Sequence, residues 1–121
     1  MNTALIVEDS LVERTAIALI LNRAGFKVQT IDNGEDVLAT IASCQPDVII
    51  LDVILPGRSG FEICRHLKAN PEMSKIPIIF CSSKSTKLDK FWGLRQRAAA
   101  YLTKPLADNE LLQTIGQLVP A

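Results

Sequence analysis

The sequence predicts an α/β domain with a parallel sheet covered by helices on both faces. Two observations carry this. Five short strand-like runs each precede a longer stretch with helical character, and the first of them, "ALIV", is too short and too uniformly apolar to show alternation. A third observation adds a site: Glu8, Asp9 and Asp52 stand directly after two of those runs.

Taken in order, "ALIV" (4–7) is a strand of the buried kind. "SLVERTAIALILNRAG" then reads as a helix. Ser10 and Glu13 form a capping box, Val12, Ala16, Ile20 and Ala24 recur at i+4, and Gly25 ends it. "KVQTI" (27–31) is the second strand. "NGEDVLATIASC" is the second helix, with Val37, Leu38 and Ile41 as its apolar side and Gln45-Pro46 beyond its end. "DVIIL" is the third strand and "LPGRSG" a loop. The third helix starts near Ser59, with a capping box to Glu62, and runs through "FEICRHLKA" to Asn70-Pro71. Phe61, Cys64 and Leu67 form its inward stripe, which leaves His66 a solvated helix residue rather than a phosphodonor. "IPIIFC" is the fourth strand. "STKLDKFWGLRQRA" is the fourth helix, weakened by Gly93. Phe91 and Leu94 point inward on it, which turns Trp92 toward the side. "AAYLT" is the fifth strand, Lys104-Pro105 a turn, and "DNELLQTIGQLV" the last helix.

At 121 residues the chain has the length of one domain, with no linker, repeat or second domain to divide it. Any output is therefore expected to come from binding another protein. Thirteen basic and thirteen acidic residues cancel, so no global charge draws the chain to nucleic acid or an anionic membrane. No apolar run reaches the roughly 18 residues of a membrane span. "MNTALIVEDS" reaches acids at once and lacks a leader pattern, which argues for a cytoplasmic protein. Cys44, Cys64 and Cys81 follow no ligand spacing and read as reduced, packed thiols.

In open parallel sheets ligands bind beyond the carboxyl ends of the strands, where strand order reverses. With strand order 2-1-3-4-5, the first and third strands are neighbours. Glu8, Asp9 and Asp52 then share one crevice with Ser82, Ser83 and Lys104. Three adjacent carboxylates repel one another unless a cation holds them. Mg²⁺ suits: it takes one or two carboxylates and keeps positions for water and phosphate oxygens. The −3 of Glu8, Asp9 and Asp52 is balanced by +2 from the metal and +1 from Lys104.

These residues resemble the receiver domain of two-component response regulators over the whole chain. The landmarks are "ED" after strand one, "DVILPGRSG" around an acceptor aspartate, "SS" after strand four and "YLTKP" at strand five. "STKLDKFWGLRQ…AYLTKP" is similar to stand-alone receivers of chemotaxis and twitching motility. The resemblance implies a flavodoxin-like (βα)5 fold with a doubly wound five-stranded sheet. It implies Asp52 as phosphoacceptor, and Glu8, Asp9, Asp52 and the Ile54 backbone carbonyl as Mg²⁺ ligands. Ser82 and Lys104 would hold phosphoryl oxygens, and Tyr101 would follow the movement of Ser82. The face of helix four, strand five and helix five, with Trp92 and Tyr101, would meet a downstream protein target. A sensor histidine kinase or phosphotransfer protein would be the donor, in motility or taxis, and the chain would be a monomer or weak dimer. The lysine–proline bond at 104–105 is expected to be cis.

Departures matter too. Glu8 stands where aspartate is commoner, so direct and water-mediated metal contact both stay open. Ser82 keeps the hydroxyl of the commoner threonine, and Ser83 adds polarity where alanine is usual. Arg97 stands where glycine is typical. The rival readings are two. An aspartate-nucleophile phosphatase wants a second aspartate two residues after the first, where this chain has Ile54. A pseudo-receiver that docks proteins without phosphorylation is favoured by Glu8 and Arg97 and opposed by Asp9, Asp52, Ser82 and Lys104.

Overall fold

The computed structural model describes residues 2–119. Its strands are β1 (Thr3–Val7), β2 (Lys27–Ile31), β3 (Val48–Leu51), β4 (Ile78–Ser82) and β5 (Ala100–Thr103). All pair in parallel, in the order β2-β1-β3-β4-β5. The helices are α1 (Leu11–Arg23), α2 (Val37–Cys44), α3 (Gly60–Ala69), α4 (Lys87–Arg95) and α5 (Asp108–Leu118). This is the flavodoxin-like arrangement that the resemblance to receiver domains implies. Among the described residues no helix is long and apolar enough to cross a membrane.

The central strands are buried on both sides, which explains their lack of alternation. Ala4, Ile6, Val48, Ile50, Ile79 and Cys81 face a layer containing Ile17 and Leu21 of α1 and Leu111 and Ile115 of α5. Their neighbours Leu5, Val7, Ile49, Leu51, Ile78 and Phe80 face Val37 and Ile41 of α2 and Ile63, Cys64 and Leu67 of α3. Register aligns Ile6 with Ile50 and Ile50 with Ile79, so isoleucines run across the sheet in a row. The edge strand β2 keeps Lys27, Gln29 and Thr30 exposed.

Three helices differ from expectation. In α1 the inward residues are Ile17 and Leu21, whereas Val12 is 80% exposed and Ala16 and Ala24 are also exposed. The helix is apolar nearly all round, so spacing alone did not single out the buried face. Its end is as expected: Gly25, at φ +93°, forms a Schellman turn in which Phe26 N–H donates to the Leu21 carbonyl (3.0 Å). The second helix starts only at Val37. Asn33 Oδ1 accepts from Glu35 N (2.9 Å) and Asp36 N (3.1 Å), a side-chain turn that competes with helix. In α4, Phe91 and Leu94 do not point inward; they are 52% and 51% exposed. The buried residue is Gly93.

The Lys104–Pro105 peptide bond is cis. Cys64 Sγ donates to the Gln96 carbonyl (3.2 Å), tying α3 to the segment after α4. The next residue, Arg97, adopts φ +68°, a left-handed conformation that costs a side chain with Cβ about 1–2 kcal/mol. Its guanidinium donates to the Lys68 carbonyl near the C-terminus of α3 (2.7 Å), which offsets part of that cost. Arg97→Gly is expected to raise stability by up to about 1 kcal/mol, and Arg97→Ala, which keeps the strain and loses the hydrogen bond, to lower it. Urea midpoints of the two variants check this; a glycine variant less stable than the parent contradicts it.

Candidate functional site

Four strands deliver the site at one edge of the sheet. Asp52 follows β3 directly, and its N–H donates to the Val7 carbonyl of β1 (3.1 Å). Its carboxylate is tethered locally: Oδ1 accepts from Val53 N (2.7 Å) and Ile54 N (3.4 Å). Oδ2 accepts from Lys104 Nζ (3.0 Å). Lys104 follows β5, and its N–H donates to the Ser82 carbonyl at the end of β4 (2.9 Å). Glu8 follows β1 and is buried; its carboxylate accepts from Lys104 Nζ and from Ser10 N (3.0 Å). Arg14 Nη1 donates to the Glu8 carbonyl (2.9 Å) and fixes that loop from α1.

The Lys104 ammonium has a third partner that sequence reading did not assign, the Glu13 carboxylate at 2.6 Å. Glu13 was hidden by its own capping pattern. Ser10 Oγ does accept from Glu13 N (3.3 Å), as a capping box requires. The return bond is replaced, because Ser10 N donates to Glu8, and the Glu13 side chain is left to reach Lys104. The available signal was its place in the first turn of a helix that begins at the crevice.

Electrostatics follow from burial. Burial pushes the Glu8 carboxyl up to about 7, against the Lys104 hydrogen bond, which favours the ionised form. Burial also works against the Lys104 ammonium, but hydrogen bonds to Glu13, Glu8 and Asp52 outweigh it and hold its proton above the usual lysine range. Behind them, burial pushes the Cys81 thiol up to about 12, so it is an inert part of the wall.

Ser82 is buried at the end of β4, and its Oγ accepts from Lys84 N (3.2 Å). The Tyr101 hydroxyl donates to the Lys84 carbonyl (2.7 Å), and its ring packs against Phe80 with centroids 5.9 Å apart. Gly93 explains the approach of α4: a Cβ there would lie 2.5 Å from Tyr101 Cδ2. Trp92 is 47% exposed on α4, beside exposed Leu88, Phe91 and Leu94.

Among the described residues, carboxylate oxygens of Glu8, Glu13 and Asp52 lie within 4.8 Å of one another. That set of hard oxygen donors suits a divalent ion such as Mg²⁺. Asp9 is exposed and stands outside this group, and the Ile54 side chain faces solvent.

Comparison with known proteins matches residues 4–116 to the response regulator receiver domain. The chain belongs to that family. This receiver is 39% identical to protein PilH of Pseudomonas aeruginosa over 98% of each chain. It is 39% identical to the transcriptional regulatory protein AfsQ1 of Streptomyces coelicolor over 106 residues, 88% of this chain and 46% of that protein. The receiver spans about half the length of the transcriptional regulators it matches. In structure it is similar to the chemotaxis response regulator CheY4 of Vibrio cholerae, with TM-score 0.90, 29% identity, and 98% and 99% of the two chains covered. Receiver domains are signalling modules of two-component systems.

Proposed function

We propose that Asp52 is the phosphoacceptor of a two-component phosphorelay. The observation that carries this is the Asp52–Lys104 pair at 3.0 Å, joined to the buried Glu8 at the carboxyl edge of the sheet. An Asp52 carboxylate oxygen attacks the phosphorus of a phosphohistidine on a sensor kinase or phosphotransfer protein. The P–N bond breaks, and its electron pair leaves on the imidazole nitrogen, which takes up a proton. Water later attacks the phosphorus, the P–O bond to Asp52 breaks, and the carboxylate and inorganic phosphate return.

Glu8 and Asp52, with Asp9 and the Ile54 carbonyl brought in from outside the carboxylate cluster, would hold Mg²⁺, which when bound neutralises charge on the phosphoryl oxygens. Lys104 pairs with one such oxygen and the Ser82 hydroxyl donates to another. Movement of Ser82 toward the phosphoryl group biases Tyr101, and the face of α4, β5 and α5 changes shape. Trp92 and Tyr101 then anchor a downstream protein target. Similarity to PilH and to a chemotaxis regulator supports a role in motility or taxis.

The test uses acetyl phosphate and Mg²⁺. The parent protein is expected to gain about 80 Da, removable by hydroxylamine, and Asp52→Asn to gain nothing. Trp92 fluorescence should change in step with the adduct. An unmodified parent, or an undiminished adduct on Asp52→Asn, transfers the reading to a docking module that binds without phosphorylation.

A further inference from the structure

We propose that Glu13 is a positioning residue that holds Lys104 in the resting state and competes with the incoming phosphoryl group for it. The inference rests on Asp52 being the phosphoacceptor. An ammonium has three N–H donors, and those of Lys104 are matched by three carboxylates: Glu8, Glu13 and Asp52. A phosphoryl oxygen can pair with Lys104 only by replacing one of them.

The three partners are not equally replaceable. Glu8 is 2% exposed, and its second oxygen is taken by Ser10 N. Asp52, 10% exposed, would itself carry the phosphoryl group. Glu13 is 45% exposed and can swing into water without stranding a buried charge. Its backbone stays fixed meanwhile, because Ser10 still caps Glu13 N. Glu13 also adds a third negative charge to a cluster that must receive a group close to doubly negative. It therefore opposes phosphorylation twice, by occupying Lys104 and by repulsion. Loss of its charge should make the site accept a phosphoryl group more readily.

The experiment is a beryllofluoride titration of parent and Glu13→Gln at saturating Mg²⁺, followed by amide shifts in the NMR spectrum. Glutamine keeps a hydrogen-bond acceptor and removes the charge. The half-saturating beryllofluoride concentration is expected to fall roughly 3- to 10-fold, with the gap narrowing as salt is raised. A merely structural role would weaken binding and lower the melting temperature, and a role as an essential metal ligand would raise the Mg²⁺ requirement. Either result, or an unchanged half-saturation, overturns the proposal. If the parent binds beryllofluoride and the variant binds no tighter, this inference alone falls. If the parent neither binds it nor takes an adduct from acetyl phosphate, the phosphoacceptor reading fails and takes the inference with it.

Discussion

Gly60→Ala is expected to lose on the order of 3 kcal/mol of stability and to slow phosphorylation at least roughly tenfold. Gly60 opens α3, and its N–H donates to the Val53 carbonyl (2.8 Å). A Cβ built there would lie 2.0 Å from the Asp52 carbonyl oxygen and 2.9 Å from the Asp52 carbonyl carbon and Val53 Cα. These are backbone atoms in a buried crossing, so no flexible side-chain end can give way. Either α3 lifts from the sheet or the peptide between Asp52 and Val53 turns. The Asp52 carboxylate is held by Val53 N at 2.7 Å, so a turned peptide carries the nucleophile out of line. Urea unfolding and the rate of adduct formation from acetyl phosphate measure the two effects. A variant with the parental midpoint and rate would remove this account of why glycine stands at 60.

Without magnesium, the protein is expected to become more stable on acidification from pH 8 to about 5.5. Glu8 titrates near 7 in the folded chain against a reference of 4.5. Between those values the folded state carries one more proton than the unfolded state, so stability falls as pH rises through the window. The full difference is on the order of 3 kcal/mol. Lys104 acts elsewhere: its raised pKa contributes stability that is complete below the ordinary lysine value and constant across this range. Glu8→Gln should be nearly flat between pH 5.5 and 8 and more stable than the parent at the alkaline end. Midpoints of urea unfolding at three pH values decide it. A parental stability that climbs with pH there, or a Glu8→Gln protein with the same slope, would refute the assignment. Magnesium that binds Glu8 must displace this proton, so its affinity should drop up to about tenfold per pH unit below 7.

The sheet was legible because Val48, Ile49, Ile50 and Leu51 leave no face for solvent, and only a strand covered on both sides needs that. The strand-end residues were legible for the same reason, since an acid directly after such a run emerges at the carboxyl edge. Helix faces were harder to read. In α1 apolar residues surround the axis, and contact with β1 and α5, not spacing, selects Ile17 and Leu21. In α4 the larger apolar residues suggested the buried side, whereas packing on Tyr101 demands the smallest residue, Gly93. Glu13 was obscured because one pattern, Ser followed three residues later by Glu, fits both a helix cap and an acid free to reach a lysine 91 positions away. Arg97 stood out as an arginine where the resemblance implies glycine, but only the fold reveals its positive φ and the Lys68 carbonyl that eases it.

The bond from Cys64 to the Gln96 carbonyl gives the molecule a built-in chemical clock. Burial lifts the Cys64 thiol to about 11, so at neutral pH the reactive thiolate is scarce and alkylating reagents have no approach. Parting of the segment between α4 and β5, which leads through Arg97 to Tyr101, from α3 would break that bond and uncover the sulfur. The rate at which a small thiol reagent consumes Cys64, set against half-buried Cys44 in the same chain, is expected to report how often that segment opens.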